Sequence, residues 1–264
     1  MPTGLINISA LNFGSDDAEL DEKHGFLDKV FLKTSIYHRA KESQRELVIG
    51  RKGTGKSAIC LMLKKAFESE AATTILITPK SLSQQKLEQL RIGSINKDES
   101  YVLGWKYVLL VTIGLEVLEQ AKQAKPRGRS RSTKNSLSRV HKFLADNGEI
   151  EKTFIQRFSR GTSIFSKLSI KALGIEGSAE TRQLQVQRDA ADELEKFQST
   201  LETLLLGLDQ TRIVVLIDKV DEVWNQTEES EMMIIGLIKA VHDLNISLRQ
   251  THFILFLRLQ PKIT

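Results

Sequence analysis

At 264 residues the chain has room for one large domain or two small ones, and it is long enough to bury a sizeable core. Its 41% hydrophobic and 27% charged residues are an ordinary globular composition, and the lone Cys60 excludes an internal disulfide and any zinc site built on several thiolates. The formal charge of +5 is unevenly placed: eight Lys/Arg and no acid fall between Lys122 and Lys142, so the remainder is net acidic and carries one basic patch.

The polar, acidic opening residues lack the apolar stretch of a signal peptide. Residues 13–19 (FGSDDAE) read as a turn-rich acidic segment, and residues 25–42 as a mixed apolar and basic segment with a short helix. Glu46-Leu47-Val48-Ile49 is a short buried strand, followed by a glycine-rich turn. From Ser57 onward Ile59, Met62, Leu63, Ala66 and Phe67 fall at helical spacing, and Thr73–Thr78 forms a second strand closed by Pro79. Strand, helix, strand in that order is a βαβ unit, hence a parallel sheet.

A long helical region follows, with a helix predicted over Tyr101–Ala121. Its most apolar part, Val102–Leu115, has 14 residues and includes Lys106, fewer than the roughly 20 that span a bilayer. A cytoplasmic protein without membrane contact is therefore expected. The Ser-, Lys- and Arg-rich stretch 122–135, with Pro126 and Gly128, reads as a mobile loop, and residues 153–177 as a hairpin. Apolar residues at 186, 190, 194, 197, 201, 204 and 208 mark a clean amphipathic helix. It leads to the strand Ile213–Ile217, ending at Asp218, then to a helix over about 229–248 and a last strand, His252–Arg258.

The chemistry is concentrated in Gly50-Arg51-Lys52-Gly53-Thr54-Gly55-Lys56-Ser57, a full match to G-x-x-x-x-G-K-[ST] between a strand and a helix. Glycines let backbone N–H groups curl around phosphate oxygens, and the helix dipole points at the same charge. Lys56 is expected to bridge the β- and γ-phosphates of ATP, with the Ser57 hydroxyl on Mg²⁺ and Ala58 completing the cradle. Asp218, at the carboxyl end of a central strand, is the second expected Mg²⁺ ligand. A charged Lys219 follows it and cannot act as a base, which leaves Asp221 and Glu222 to position water. Arg258, at the end of the last strand, is the candidate γ-phosphate sensor. Cys60, Trp105 and Tyr107 read as packing residues. The 122–142 cluster is a candidate contact for nucleic acid phosphates, weakened by the lack of interleaved aromatics.

Residues 13–19, Phe31-Leu32-Lys33-Thr34, the run Gly50–Ala58, Gly104-Trp105-Lys106-Tyr107 and Phe256-Leu257-Arg258 together resemble a family of bacterial P-loop ATPases related to the STAND and KAP-type branches of AAA+-like NTPases. The resemblance runs from about 13 to 258, and only the P-loop part of it is highly specific. It implies ATP binding and slow hydrolysis used as a conformational switch beside signalling or anti-phage defence modules. It also implies that the segment before the P-loop contacts adenine and that Arg258 matches the family's sensor arginine. Two departures stand out: the family usually reads Asp-Asp where this chain has Asp218-Lys219, and it continues past the arginine into a strand and helical lid. This chain stops at Thr264, which reads as truncated or diverged.

The expected fold is thus α/β, a three-layer P-loop core of ASCE/AAA+-like type with a parallel sheet and a mainly helical insertion. The expected divisions are an N-terminal segment 1–42 near the adenine site, a first half-core 43–82, an insertion 83–185 carrying the basic loop 122–142, and a second half-core 186–264. The function expected is an ATP-binding, ATP-hydrolysing switch. Its rivals are a nucleotide-binding scaffold without hydrolysis and a nucleic-acid-associated motor or loader; a small-molecule kinase is weaker, for want of an acceptor-pocket signature. A homo-oligomer and an effector protein or domain of unknown identity complete the expected partners.

Overall fold

The computed structural model describes residues 17–42, 46–78, 97–123, 129–150, 179–208, 212–220 and 227–258. Three short helices come first: α1 (Ala18–Lys23), α2 (Leu27–Val30) and α3 (Ser35–Lys41). They are followed by β1 (Leu47–Gly50), α4 (Lys56–Ser69) and β2 (Thr73–Ile77), then by α5 (Lys97–Gln123), α6 (Arg131–Asp146) and α7 (Ala179–Gly207). The chain closes with β3 (Ile213–Ile217), α8 (Glu228–Ser247) and β4 (Thr251–Arg258).

The four strands form one all-parallel sheet in the order β1-β4-β3-β2. Every residue of β3, and all of β4 up to Leu257, is buried, which is why Ile213–Ile217 and Phe253–Leu257 read as unbroken apolar runs: a parallel sheet is covered on both faces. Alternation sorts their side chains. Val214, Leu216, Ile254 and Phe256 join Val48 in one cluster with Ile59, Cys60, Leu63 and Phe67 of α4. Ile213, Val215, Ile217, Phe253 and Leu255 pack on the opposite side against α5, α7 and α8. The molecule is therefore a three-layer α/β/α arrangement, with α4 on one face and the long helices on the other.

The helix α5 lies on the sheet itself, and its closest partner is α8. The Trp105 indole donates to the Met233 carbonyl at 3.1 Å, and a Cβ on Gly236 would come within 2.6 Å of the Tyr101 Cβ. Trp105 and Tyr107 are both buried, as packing residues should be. Within α5, Tyr101–Gln123 is long and apolar enough by length and composition to cross a membrane, longer than the 14-residue stretch the sequence suggests. That stretch undercounts because Glu116 and Glu119 interrupt the run without interrupting the helix. The most apolar window is 67% buried inside the protein, so its apolarity serves the core.

Two other expectations change. Ala18 and Glu19, read as the end of the acidic turn 13–19, begin α1, with the Asp17 carboxylate accepting from the Glu19 N–H as N-cap. Residues 131–142, read as part of a basic loop, lie in α6. Ser130 caps that helix by accepting from the Thr133 N–H, and Thr133, Ser136, Val140 and Leu144 form a buried stripe at helical spacing. Phe143 stacks on Phe197 of α7 at 3.9 Å between centroids, which fixes the pair. High charge hid this helix because its outer face is charged and half of its inner stripe, Thr133 and Ser136, is polar. The hairpin proposed over 153–177 lies outside the described residues.

Candidate functional site

The carboxyl ends of all four strands lie on one edge of the sheet, where ligands of open α/β folds bind. On that edge β1 ends at Gly50 and the chain turns through Arg51–Gly55 into α4. Gly53 and Gly55 both sit at φ +79°, in the left-handed region that residues with a Cβ avoid. Gly55 is the N-cap of α4 and supplies no side-chain oxygen, so the first N–H groups of the helix have no side-chain cap there. An uncapped helix start behind two left-handed glycines has the backbone form that anion-binding loops use.

The Thr54 hydroxyl donates to the Arg51 carbonyl at 2.8 Å and braces the turn. A Cβ on Gly50 would fall 2.5 Å from that hydroxyl oxygen, which accounts for glycine at 50 as well. Lys56 folds over the loop, donating from Nζ to the Gly50 and Arg51 carbonyls at 2.9 and 2.8 Å. Arg51–Gly55 are exposed, and Lys56, Ser57 and Ala58 are half-buried.

Arg258 is the register partner of Gly50, so the candidate sensor stands one strand away from the start of the loop. Asp218 is further off. Because β4 lies between β1 and β3, two strand spacings of about 4.8 Å separate their axes. Ile217 and Leu47 are both level with Leu255, so Asp218 stands level with Val48, two residues short of Gly50. Asp218 is 5% exposed, and its N–H donates to the Ile77 carbonyl at 3.0 Å, extending the β2–β3 ladder. Its charge acts on Cys60, in the second turn of α4. Burial pushes the Cys60 thiol well up, and the Asp218 charge adds to the shift, so the thiol stays neutral.

Lys219 takes a left-handed conformation at φ +61°, and its ammonium pairs with the Glu19 carboxylate of α1 at 2.5 Å. Sequence reading missed this contact. The Asp17 cap was a visible signal for α1, but nothing in the sequence links positions 19 and 219. The Glu19 side chain is 46% exposed, so the pair fixes where Lys219 points more than it stabilises the fold. Asp221 and Glu222 lie outside the described residues. The N-terminal helices pack on α4: Lys65 pairs with Asp28 at 2.7 Å and Glu22 at 3.5 Å, and Lys41 with Glu70 at 2.6 Å.

The residues present suit a phosphate chain and a hard divalent cation. A glycine cradle faces one ammonium, and a hydroxyl (Ser57) and a buried carboxylate (Asp218) offer oxygen ligands. Among the described residues no group of three or more His, Cys, Asp or Glu could hold a metal by itself.

No protein-family model and no solved structure matches the chain. It is 25% identical over 263 residues to a transposon gamma-delta 80.3 kDa protein of Escherichia coli (strain K12), and that alignment covers 96% of this chain and 34% of the relative.

Proposed function

We propose that this chain is the nucleotide-binding core of an ATP-dependent molecular switch that takes Mg²⁺ with its nucleotide. One observation carries the reading: Gly53 and Gly55 in left-handed conformation lead into a helix start without a side-chain cap, with the Lys56 ammonium folded over the same loop. In this reading the loop amides and Lys56 hold the triphosphate. Lys56 exchanges two neutral carbonyl acceptors for anionic phosphate oxygens, which adds attraction between opposite charges to its hydrogen bonds. Ser57 and Asp218 hold Mg²⁺, which when bound withdraws charge from the phosphates. Arg258, beside Gly50, responds to the γ-phosphate and ties its presence to the centre of the sheet. An acid at Asp221 or Glu222 orients water.

A cytoplasmic setting, an effector protein or domain, and self-association accompany this proposal. The bacterial STAND/KAP-like resemblance gives signalling or defence as the context, and the transposon relative gives a mobile genetic element. Neither supplies a reaction.

Mg·ATP affinity measured by calorimetry tests the reading, with wild type beside Lys56→Ala. At least a tenfold loss in the variant is expected, and equal affinities would refute it. Lys219 favours a second reading, a scaffold that binds ATP without hydrolysing it, because the position after Asp218 carries a cation paired with Glu19. In that case wild type shows no turnover and Lys219→Glu gains some. Turnover by wild type at the variant's rate would reject the scaffold.

A further inference from the structure

The basic residues between 122 and 142 do not behave alike. Lys122 pairs with Glu119, and Arg129 donates to the Ala121 carbonyl at 2.6 Å, so both are tied to α5. Lys125 and Arg127 lie outside the described residues. The remaining four, Arg131, Lys134, Arg139 and Lys142, are all exposed on α6 and make no ion pair among the described residues. At 100° per residue they fall within an arc of about 140°, opposite the buried stripe Thr133, Ser136, Val140 and Leu144. From Arg131 to Lys142 the face runs about 16 Å, the axial length of about five phosphates on one DNA strand.

We propose that this face of α6 binds the phosphate backbone of a nucleic acid, without reading its sequence. The chemistry of the face selects this partner over others. Between the cations lie Asn135 and Ser138, both exposed, and these hydrogen-bonding types join Arg and Lys in most protein contacts to phosphate and sugar. The face has no exposed aromatic or large aliphatic side chain, which a protein partner would need for its buried anchors. A membrane surface would need an apolar flank, but the apolar stripe of α6 is already packed against α5 and α7. The only acid on α6 is Asp146, its last residue. His141, at the margin, lines a cleft with Glu116 and Glu119 and is not counted. The proposal stands whether or not the P-loop binds ATP.

The test is titration of a fluorescent 30-base-pair duplex, and of a single strand of equal length, with the full chain at 50 and 200 mM NaCl. Four phosphate contacts predict a fall in affinity of about 100-fold for the duplex between those salts. The variant Arg131→Gln/Lys134→Gln/Arg139→Gln/Lys142→Gln keeps good helix formers at exposed positions and should lose most of that affinity and its salt slope. A control with the same charge change elsewhere, Lys23→Gln/Lys29→Gln/Lys33→Gln/Arg39→Gln, should bind as wild type does. Should the quadruple α6 variant fail to fold by circular dichroism, Arg139→Glu/Lys142→Glu takes its place, with the same loss expected. The proposal is overturned if wild type does not bind at 50 mM, or if the α6 and control variants weaken equally. It is also overturned if polyglutamate or vesicles of anionic lipid compete as well as the nucleic acid does.

Discussion

His252, the second residue of β4, is 6% exposed, and its Nε2 has no hydrogen-bond partner among the described residues. Burial, helped by the nearby Arg212 charge, lowers its pKa from 6.5 to about 4. The ring is therefore neutral in the fold at pH 7, while in the unfolded chain it takes a proton near 6.5. Protons bind the unfolded state better throughout that interval. The stability is complete above pH 6.5 and is lost as pH falls from 6.5 towards 4. The full difference is worth about 3 kcal/mol, of which about 2 kcal/mol is lost by pH 5. That is a large part of an ordinary domain's 5–15 kcal/mol.

Urea unfolding at pH 7.5 and 5.0, on wild type and His252→Gln, measures the effect. Glutamine does not titrate, and the other four histidines and all the acids are common to both proteins, so the difference between the two pH shifts isolates His252. Wild type should lose about 2 kcal/mol more than the variant on acidification. Parallel losses in the two proteins would mean that the imidazole reaches solvent or a partner when charged, and would refute the reasoning.

Gly236→Ala should cost about 1–3 kcal/mol, read as a lower urea midpoint with unchanged slope, because the new Cβ would stand 2.6 Å from the Tyr101 Cβ and 3.0 Å from its backbone carbon. Gly50→Ala should instead leave the fold cooperative and weaken Mg·ATP binding by tenfold or more. Its Cβ displaces the Thr54 hydroxyl from the Arg51 carbonyl and so deforms the cradle rather than the core; unchanged affinity by calorimetry would show that the brace is dispensable.

Much of the fold was legible because its signals are local. All four strands fall within one residue of their expected bounds, since each is short and built around a run of adjacent apolar, often β-branched residues. Helix α7 carries its predicted stripe, with Leu194, Phe197, Leu201 and Leu204 buried. Misreadings came where charge and helix coincide: Asp17–Glu19 enter a helix through a cap, and Arg131–Lys142 are charged outside with a few inward residues. The strand order could not be read at all, because insertion of β4 between β1 and β3 depends on long connections that leave no periodicity.

That order changes what the site can do. With β4 central to the edge, Arg258 adjoins Gly50 directly, while Asp218 stands about 10 Å across and two residues lower. Ser57 and Asp218, the residues proposed to hold a cation, are thus set apart from Arg258, the residue proposed to respond to the γ-phosphate. Lys219 follows Asp218 out of the sheet and is drawn by Glu19 towards α1, which packs on α4 beside Lys65. The first residue after the candidate metal ligand is thus fastened to the N-terminal helices.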